Sequence, residues 1–459
     1  MNIDLNIIEK YNVPVPRYTS YPPANHFTDE ITSGDFLELI SASNSWEPQH
    51  MAFYVHIPFC KKICFYCGCN ACRLNGTQEV RDYLEALKKE IIHVAGQLDR
   101  SRKVTQLHFG GGTPNAIPAE MLAEITALFN REFTFSDDAE IAIETNPATL
   151  DLPYMEKLVS AGFNRFSFGI QDFNEEVLKM VNREPSAIPV PELVKLVKSL
   201  NDRAAVNLDF IYGLPGQSPE SFSSSMEKAA EADPDRLVTF SYAHVPWLKK
   251  HQQILEKRGL PGPEEKTRMF LAGYDVLTAV GYEPVGLDHF VKREDELFRA
   301  LEQKKLHRNF QGYCTRETTG QVYAFGVSAI SQLEKAYVQN TKEIEKYTTE
   351  IGHGRLPVEK GKYLSDDQLM IREVITRLMC NKQLEWKTIA DELGTGEETL
   401  KQLVGFDPGK FSEMEKDNLL EVSCEGLHVT ERGSMMIRNI AAALDPAYKQ
   451  QVNKYSKSV

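Results

Sequence analysis

No apolar run in this chain of 459 residues approaches the roughly 20 residues that would cross a bilayer. The N-terminus, MNIDLNIIEKYNVPVPRYTSYPP, lacks a basic start followed by an apolar block, so no secretory signal is expected. Positive charge is in deficit: 52 Lys and Arg against 65 Asp and Glu leave a formal net charge of −13. That disfavours a broad nucleic-acid footprint, which needs clustered cations. Internal repeats and low-complexity tracts are absent. Outside one stretch, cysteine is sparse. Cys314, Cys380 and Cys424 stand singly and supply neither a second ligand pair for structural zinc nor a disulfide framework. Reduced thiols without an export signal are expected in the cytoplasm.

The other five of the eight cysteines crowd His56 to Cys72, which reads HIPFCKKICFYCGCNAC. Soft thiolates at this density suit an iron–sulfur cluster. The spacing C-x3-C-x2-C puts Cys60, Cys64 and Cys67 on one tight loop. With Cys69 and Cys72 out of the set, three thiolates would hold a 4Fe–4S cube and leave one iron open. If either closed the cluster, that open corner would be lost.

This spacing, with Tyr66 just before the third cysteine, resembles the radical S-adenosylmethionine (SAM) superfamily. The resemblance implies that the open iron binds SAM, and that a cluster electron cleaves it to methionine and a 5′-deoxyadenosyl radical. YVHIPFC before the loop, the trailing Cys69 and the string RYTSYP from Arg17 to Pro22 narrow it. Together they resemble the oxygen-independent coproporphyrinogen III oxidase family, over nearly the whole chain.

Periodicity gives the architecture. Strands are expected at 51–57, 104–109, 139–143, 163–170, 205–211 and 237–242, with helices between them. Six strand–helix units are too few for an eightfold barrel. They suit the α/β class, as the open, partial (β/α)6 barrel that the resemblance implies. In such folds function gathers where strands end. The cysteine loop, Gly110-Gly111-Gly112-Thr113-Pro114, Glu144, Gln171 and Ala243 fall at or after expected strand ends, and Asp209 lies near one. Residues 1–48 read as an N-terminal arm whose prolines at 14, 16, 22 and 23 argue against regular helix. It either packs on the barrel or reaches over the mouth of the site. The barrel is expected at 49–286, a connecting segment that completes the site at 287–363, and a mainly helical, winged-helix-like domain at 364–459. Helices at 366–381, 386–393 and 397–404, a hairpin within 417–430 and a closing helix at 431–444 support the last. Glu385, Asp391, Glu392, Glu397 and Glu398 crowd its recognition region, against DNA.

Glycines at 110–112 let backbone approach a ligand, or serve a tight turn. A strand-end Glu is often a solvated group, and Arg183 after Asn182 could be a helix-terminal charge. As a set in family order these residues imply more. The resemblance gives two SAM molecules. Tyr54, Gly111, Glu144 and Ile330 fall on positions of the first; Tyr66, Gly112, Thr113, Gln171, Arg183, Asp209 and Ala243 fall on positions of the second. Tyr54 and Glu144 are expected at the catalytic centre. Carboxylates suit a sulfonium and an ammonium, and Arg183 can pair with a carboxylate. Arg17, Arg308, Lys305 and Arg293 are candidates for binding propionates. The implied activity is oxidative decarboxylation of two propionates of coproporphyrinogen III to vinyls, giving protoporphyrinogen IX in haem biosynthesis. It would need an electron donor of flavodoxin or ferredoxin type and an acceptor, and the enzyme is expected to be a monomer. A haem chaperone, a haem-degrading radical SAM methyltransferase and a winged-helix DNA regulator are the alternative readings.

Overall fold

The structure is a computed structural model and describes residues 5–315, 321–448 and 455–457. Its centre is a run of parallel strands in chain order: β1 (Met51–Ile57), β2 (Lys103–Gly111), β3 (Thr134–Thr145), β4 (Arg165–Gln171), β5 (Ala205–Tyr212) and β6 (Arg236–Ser241). Helices Thr77–Ala95, Ala119–Glu132, Leu152–Ser160, Val190–Leu200, Pro219–Glu231 and Pro263–Ala279 follow them. Side chains of a strand alternate between faces. On β4, Phe166 and Phe168 are fully buried, while Arg165 and Ser167 face the opposite, polar interior of the curved sheet. The helix Pro219–Glu231 shows how the outer layer forms. Ser218 and Ser221 make a capping box, Pro219 opens the first turn, and Phe222, Met226 and Ala229 recur on one buried face.

The connecting segment is more ordered than its sequence pattern suggests. After the edge pair β7 (Glu283–Val285) and β8 (His289–Val291) and the small hairpin β9 (Leu306–Arg308) and β10 (Tyr313–Thr315), the chain crosses to the other flank. There β11 (Val322–Phe325) pairs in parallel with β1. β12 (Ile330–Gln332), β13 (Ala336–Asn340) and β14 (Val358–Tyr363) continue antiparallel. The result is one twelve-stranded sheet, β14-β13-β12-β11-β1-β2-β3-β4-β5-β6-β8-β7. Three- to six-residue strands are too short to declare themselves by alternation.

The arm differs from expectation in two ways. Prolines keep residues 12–23 out of helix, but Leu5–Tyr11 and Ser33–Ala42 lie outside their reach and are helical, the second with a Thr32–Asp35 capping box. The arm also packs on the C-terminal domain. Ile7, Ile8, Tyr11, Val15, Tyr18 and Tyr21 share a core with Leu378, Trp386, Phe411 and Ile440. Both Tyr18 and Tyr21 hydroxyls donate to Asp445, at 3.0 and 3.1 Å. That domain holds helices Asp366–Asn381, Trp386–Leu393 and Glu397–Leu403, and a small sheet of β15 (Gln383–Glu385), β16 (Leu420–Val422) and β17 (Gly426–Val429) in the order β15-β17-β16. Its closing segment is not one helix: a 3-10 turn, Arg432–Met436, precedes Ile437–Ala443. Among the described residues no helix is long and apolar enough to cross a membrane.

Candidate active site

The cysteine loop begins where β1 ends. Phe59-Cys60 pairs in parallel with Cys72-Arg73, which closes the loop at its base. Its carbonyls are then held from outside. Asn182 Nδ2 donates to Ile63 O at 2.8 Å and Gln252 Nε2 to Tyr66 O at 2.9 Å. Lys249 Nζ donates to Cys69 O at 2.6 Å, and His251 Nε2 lies 2.9 Å from Cys67 O. His56 Nε2 lies 2.9 Å from Asn70 O. A carbonyl only accepts, so His56 carries its proton on Nε2 and its Nδ1 accepts from the Tyr54 hydroxyl at 3.1 Å. Burial pushes the His56 pKa down, which keeps the ring neutral.

The glycine turn proves to be a docking joint. A Cβ on Gly112 would lie 2.6 Å from Pro58 O, and one on Gly111, whose φ is +123°, 2.7 Å from Ile57 O. Gly112 N donates to Ile57 O at 2.8 Å and Thr113 N to Phe59 O at 2.9 Å. These two amides are spent on the cysteine loop. The glycines therefore let the end of β2 close on that loop, and Thr113 Oγ1 comes within 3.4 Å of Cys60 Sγ.

Cys60, Cys64 and Cys67 line one cavity with Tyr66, Gly111, Gly112, Thr113, Glu144, Gln171, Arg183 and Asp209. The thiols ring this space and do not meet at a point. Among the described residues no three His, Cys, Asp or Glu side chains are close enough to share a single ion. Burial raises the Cys60 thiol to about 11, whereas a hydrogen bond with Cys69 lowers Cys67 to about 6. Arg183 follows Asn182, whose φ of +59° ends its helix and turns the chain back. The guanidinium donates to Gly169 O and lies 3.8 Å from Cys64 Sγ. Its Nε and Gln171 Oε1 are buried without a protein partner among the described residues. Asp209 accepts from Ser167 Oγ at 2.7 Å and from Asn207 Nδ2 at 2.8 Å, yet burial, helped by the charge of Glu144, raises its carboxyl to about 6. Glu144 Oε1 is 3.0 Å from His108 Nε2, and the Tyr54 ring stacks on His108 at 5.9 Å.

Three expected residues lie elsewhere. Tyr54 is one row deeper, behind His108. Ala243 lines a separate cavity with Gly213, His244 and Lys266. Ile330 opens β12 and packs against the group of Phe27, Tyr337 and Leu364. Cys72 sits at the base of the loop, outside the cavity lining, and Cys69 faces the cavity. Sequence reasoning missed Ser167 and Gly169, although the alternation of β4, R-F-S-F-G-I-Q, carries them inward with Arg165. It also missed the clamp from Lys249 to Gln252, which has no local signature.

A second cavity of about 420 Å³ adjoins the first and shares Cys69, Glu144, Ser167 and Asp209 with it. Arg17, Arg308, Asp288 and His289 line it. Arg17 also lines two neighbouring cavities, and burial lowers its pKa. Arg308 Nη1 donates to Arg17 O at 3.3 Å. Lys305 lines a neighbouring cavity, and Arg293 is an exposed group paired with Glu283.

Three thiols, a glycine joint and convergent polar groups at the ends of parallel strands define a radical SAM enzyme, and the Radical SAM superfamily profile matches residues 54–229. The HemN C-terminal domain profile matches residues 364–436. An oxygen-independent coproporphyrinogen III oxidase of Synechocystis is 39% identical over 454 residues, covering 98% of this chain and 96% of the relative. One from Escherichia coli is 37% identical over 448 residues, with the same coverage. The solved structure of coproporphyrinogen III oxidase from Escherichia coli, described as a radical SAM enzyme, superposes with a TM-score of 0.89 at 34% identity, covering 98% of this chain and all of that one. The chain belongs to the oxygen-independent coproporphyrinogen III oxidase family.

The residues present fit the groups this family implies. Three soft thiols suit a 4Fe–4S cluster. A buried carboxyl held near 6 and two orphaned polar atoms suit a zwitterionic, sulfonium-bearing ligand.

Proposed function

We infer that this enzyme converts coproporphyrinogen III to protoporphyrinogen IX without oxygen, in haem biosynthesis. The observation that carries the reading is a juxtaposition. The thiol-lined cavity opens onto a larger one walled by Arg17 and Arg308, as a tetracarboxylate substrate requires. For each propionate, one hydrogen atom is removed from the β-carbon, the carboxylate leaves as CO2, and one electron passes to an acceptor, leaving a vinyl group. When bound, the cluster and SAM would supply the electron and the hydrogen-abstracting radical.

We assign Cys60, Cys64 and Cys67 to the cluster. The Glu144 and Asp209 carboxylates would offset positive charge on SAM, and Arg183 would orient its carboxylate. Tyr54 buttresses Glu144 through His108, which makes it a positioning residue. We propose two SAM molecules. The polar groups fall into two sets: Gly111 and Glu144 on β2 and β3, against Gln171, Arg183 and Asp209 on β4, the turn after the next helix, and β5. Tyr66, Gly112 and Thr113 sit with the second set in this assignment. Ile330 and Ala243 stay outside this assignment, because they line a neighbouring packing group and a separate cavity. A cytoplasmic location fits the free thiols. Arg17 and Arg308 keep a propionate ionised, which loss of CO2 requires, and fix its β-carbon relative to the first cavity.

Anaerobic, cluster-reconstituted protein incubated with SAM, reductant and coproporphyrinogen III should yield two successive mass losses, each equal to CO2 plus two hydrogens. Intact porphyrinogen beside 5′-deoxyadenosine would refute the substrate. A gain of methyl mass would mean methyl transfer, and tight haem binding without turnover would mean a chaperone.

A further inference from the structure

Gly213 follows β5 with a φ of +87°, and the space where a side chain would stand is taken. A Cβ there would lie 2.9 Å from Lys266 Cε and 3.0 Å from Lys266 Cδ. The stem of Lys266 thus passes over the strand end and brings its ammonium to a cavity of about 370 Å³. Its Nζ donates to Tyr242 O at 3.4 Å, a long bond to a neutral group. The setting disfavours a cation. Lys266 lies in the first turn of the helix Pro263–Ala279, at the positive end of its dipole. Arg17, Arg438 and Lys457 line the same cavity, and among the described residues its lining holds no Asp or Glu. Arg438 donates to Pro16 O at 3.1 Å and to Lys457 O at 3.0 Å, carbonyls that fix it without cancelling its charge. The acids nearby are engaged elsewhere: Glu264 with Arg268 at 2.6 Å, Glu256 with His244 at 2.8 Å and Asp288 with His289 at 2.8 Å. Burial, then the charges of Arg17 and Arg438, lower the Lys266 pKa to about 8, so the side chain still carries its proton at neutral pH.

We propose that Lys266 forms a carboxylate subsite that holds one of the two propionates the product keeps. The inference rests on the reading of the adjoining cavity as the porphyrinogen site and adds a specificity contact to it. The two cavities have Arg17 in common, whereas the Lys266 cavity shares no lining residue with the thiol-lined one. A carboxylate held at Lys266 is therefore one cavity removed from the cysteine loop, which sets it apart from the propionates that react there. The lining suits an anion on an apolar stem. Trp247, Leu260 and Pro261 offer a wall for two methylene groups, and Lys266 and Arg17 offer the charge. A carboxylate placed between them would supply the negative charge that the described protein groups do not. Anchoring a retained group fixes the angle of the macrocycle, so that a ring bearing a reacting propionate faces the thiol-lined cavity.

The test is anaerobic calorimetry on cluster-reconstituted full-length protein, without SAM or reductant so that nothing turns over. The probes are coproporphyrinogen III and mesoporphyrinogen IX, which carries ethyl groups in place of the two reacting propionates. Lys266→Met keeps a stem to pack against Gly213 and removes the charge. It should weaken both probes on the order of tenfold. Its unfolding midpoint without ligand should equal or exceed that of the parent, because a buried charge without an acidic partner has gone. Equal affinity of parent and variant for both probes would overturn the proposal. So would weakening of coproporphyrinogen alone, which would put a reacting propionate at Lys266. A variant that loses SAM affinity, titrated separately, but keeps both porphyrinogens would give the site to the SAM carboxylate and overturn it too. A parent that binds neither probe would refute the porphyrinogen reading of the adjoining cavity and the subsite with it, whereas a parent that binds both beside an equally competent variant refutes the subsite alone.

Discussion

Gly112→Ala should release the cysteine loop. The new Cβ would lie 2.6 Å from Pro58 O, 2.7 Å from Pro58 C and 3.0 Å from Phe59 O. All three are backbone atoms, so no side chain can swing aside. Overpacking of this kind costs about 1–3 kcal/mol. Relief means parting β2 from the loop, which strains the bonds from Gly112 N to Ile57 O and from Thr113 N to Phe59 O, at about 1 kcal/mol each. The expected penalty is therefore about 3–5 kcal/mol, and it falls on the segment carrying Cys60. Gly68→Ala is the control. It lies on the same loop between Cys67 and Cys69, but its Cβ would meet nothing within 4 Å, so a change within about 0.5 kcal/mol is expected. Iron and acid-labile sulfide per chain after anaerobic reconstitution, with denaturant unfolding alongside, provide the readout. Iron retention in Gly112→Ala equal to that of the parent would refute the joint. So would a loss in Gly68→Ala as large as in Gly112→Ala, because that would make the loop sensitive to any added methyl group.

Other outcomes follow from the same contacts. In Gly169→Ala the Cβ would meet Gln171 Nε2 at 2.6 Å and Arg183 Nη2 at 2.9 Å, the far ends of side chains; SAM affinity should fall while denaturation midpoints barely move, as calorimetry and unfolding curves would show. Asp209 titrates near 6, so SAM dissociation constants should rise as pH falls through that value, and Asp209→Asn should flatten the profile. Arg17→Ala and Arg308→Ala should each raise KM for coproporphyrinogen by about 10–100-fold, the scale of one lost charge-assisted bond, with SAM binding intact. Burial opposes ionisation of Glu140, but Arg165 and Arg236 outweigh it and hold the carboxyl at about 2, below its ordinary 4.5. The stability it lends is complete above 4.5 and is lost as pH falls toward 2. Glu140→Gln should cost about 3–5 kcal/mol at neutral pH and blunt that acid-side loss in pH-dependent unfolding.

The local part of this architecture is legible in the sequence. Met51–Ile57, Asp366–Asn381 and Trp386–Leu393 have the bounds that periodicity and caps suggest, because their signals lie within a few residues of the element. The cysteine loop is legible for the same reason. What pairs distant segments is not. Nothing in RYTSYP says that Tyr18 and Tyr21 will meet Asp445, more than 400 residues away. The three-residue strand β12 has too few positions to show a period. The clamp on the loop carbonyls uses Lys, His and Gln in an unremarkable string, and their meaning lies wholly in where β6 ends. Even the glycine run, conspicuous as it is, points only to a ligand when read alone; the position of Pro58 O shows that Gly112 must also admit the neighbouring loop.

A polar barrel interior cannot be what holds this fold together, since each buried charge costs free energy unless it is compensated. The two ends of the interior meet that demand differently. At the floor compensation is internal. Gln106 and Arg165 bind Glu140, and Arg236 reaches Asp295 at 2.7 Å and Glu296 at 2.9 Å, so each charge of this layer faces an opposite one, with Arg165 Nη1 left over. At the mouth it is incomplete. Among the described residues Glu144 bonds only His108, Asp209 has only neutral donors and a carboxyl raised to about 6, and Gln171 Oε1 and Arg183 Nε have no protein partner. Were the mouth structural, evolution of the same strands could have closed it as the floor is closed, with an arginine in place of Ser167. The missing charge is positive beside Glu144 and Asp209 and negative beside Arg183, which is the charge pattern of a sulfonium amino acid. The floor supplies rigidity, and the mouth keeps an electrostatic deficit for its ligand to fill.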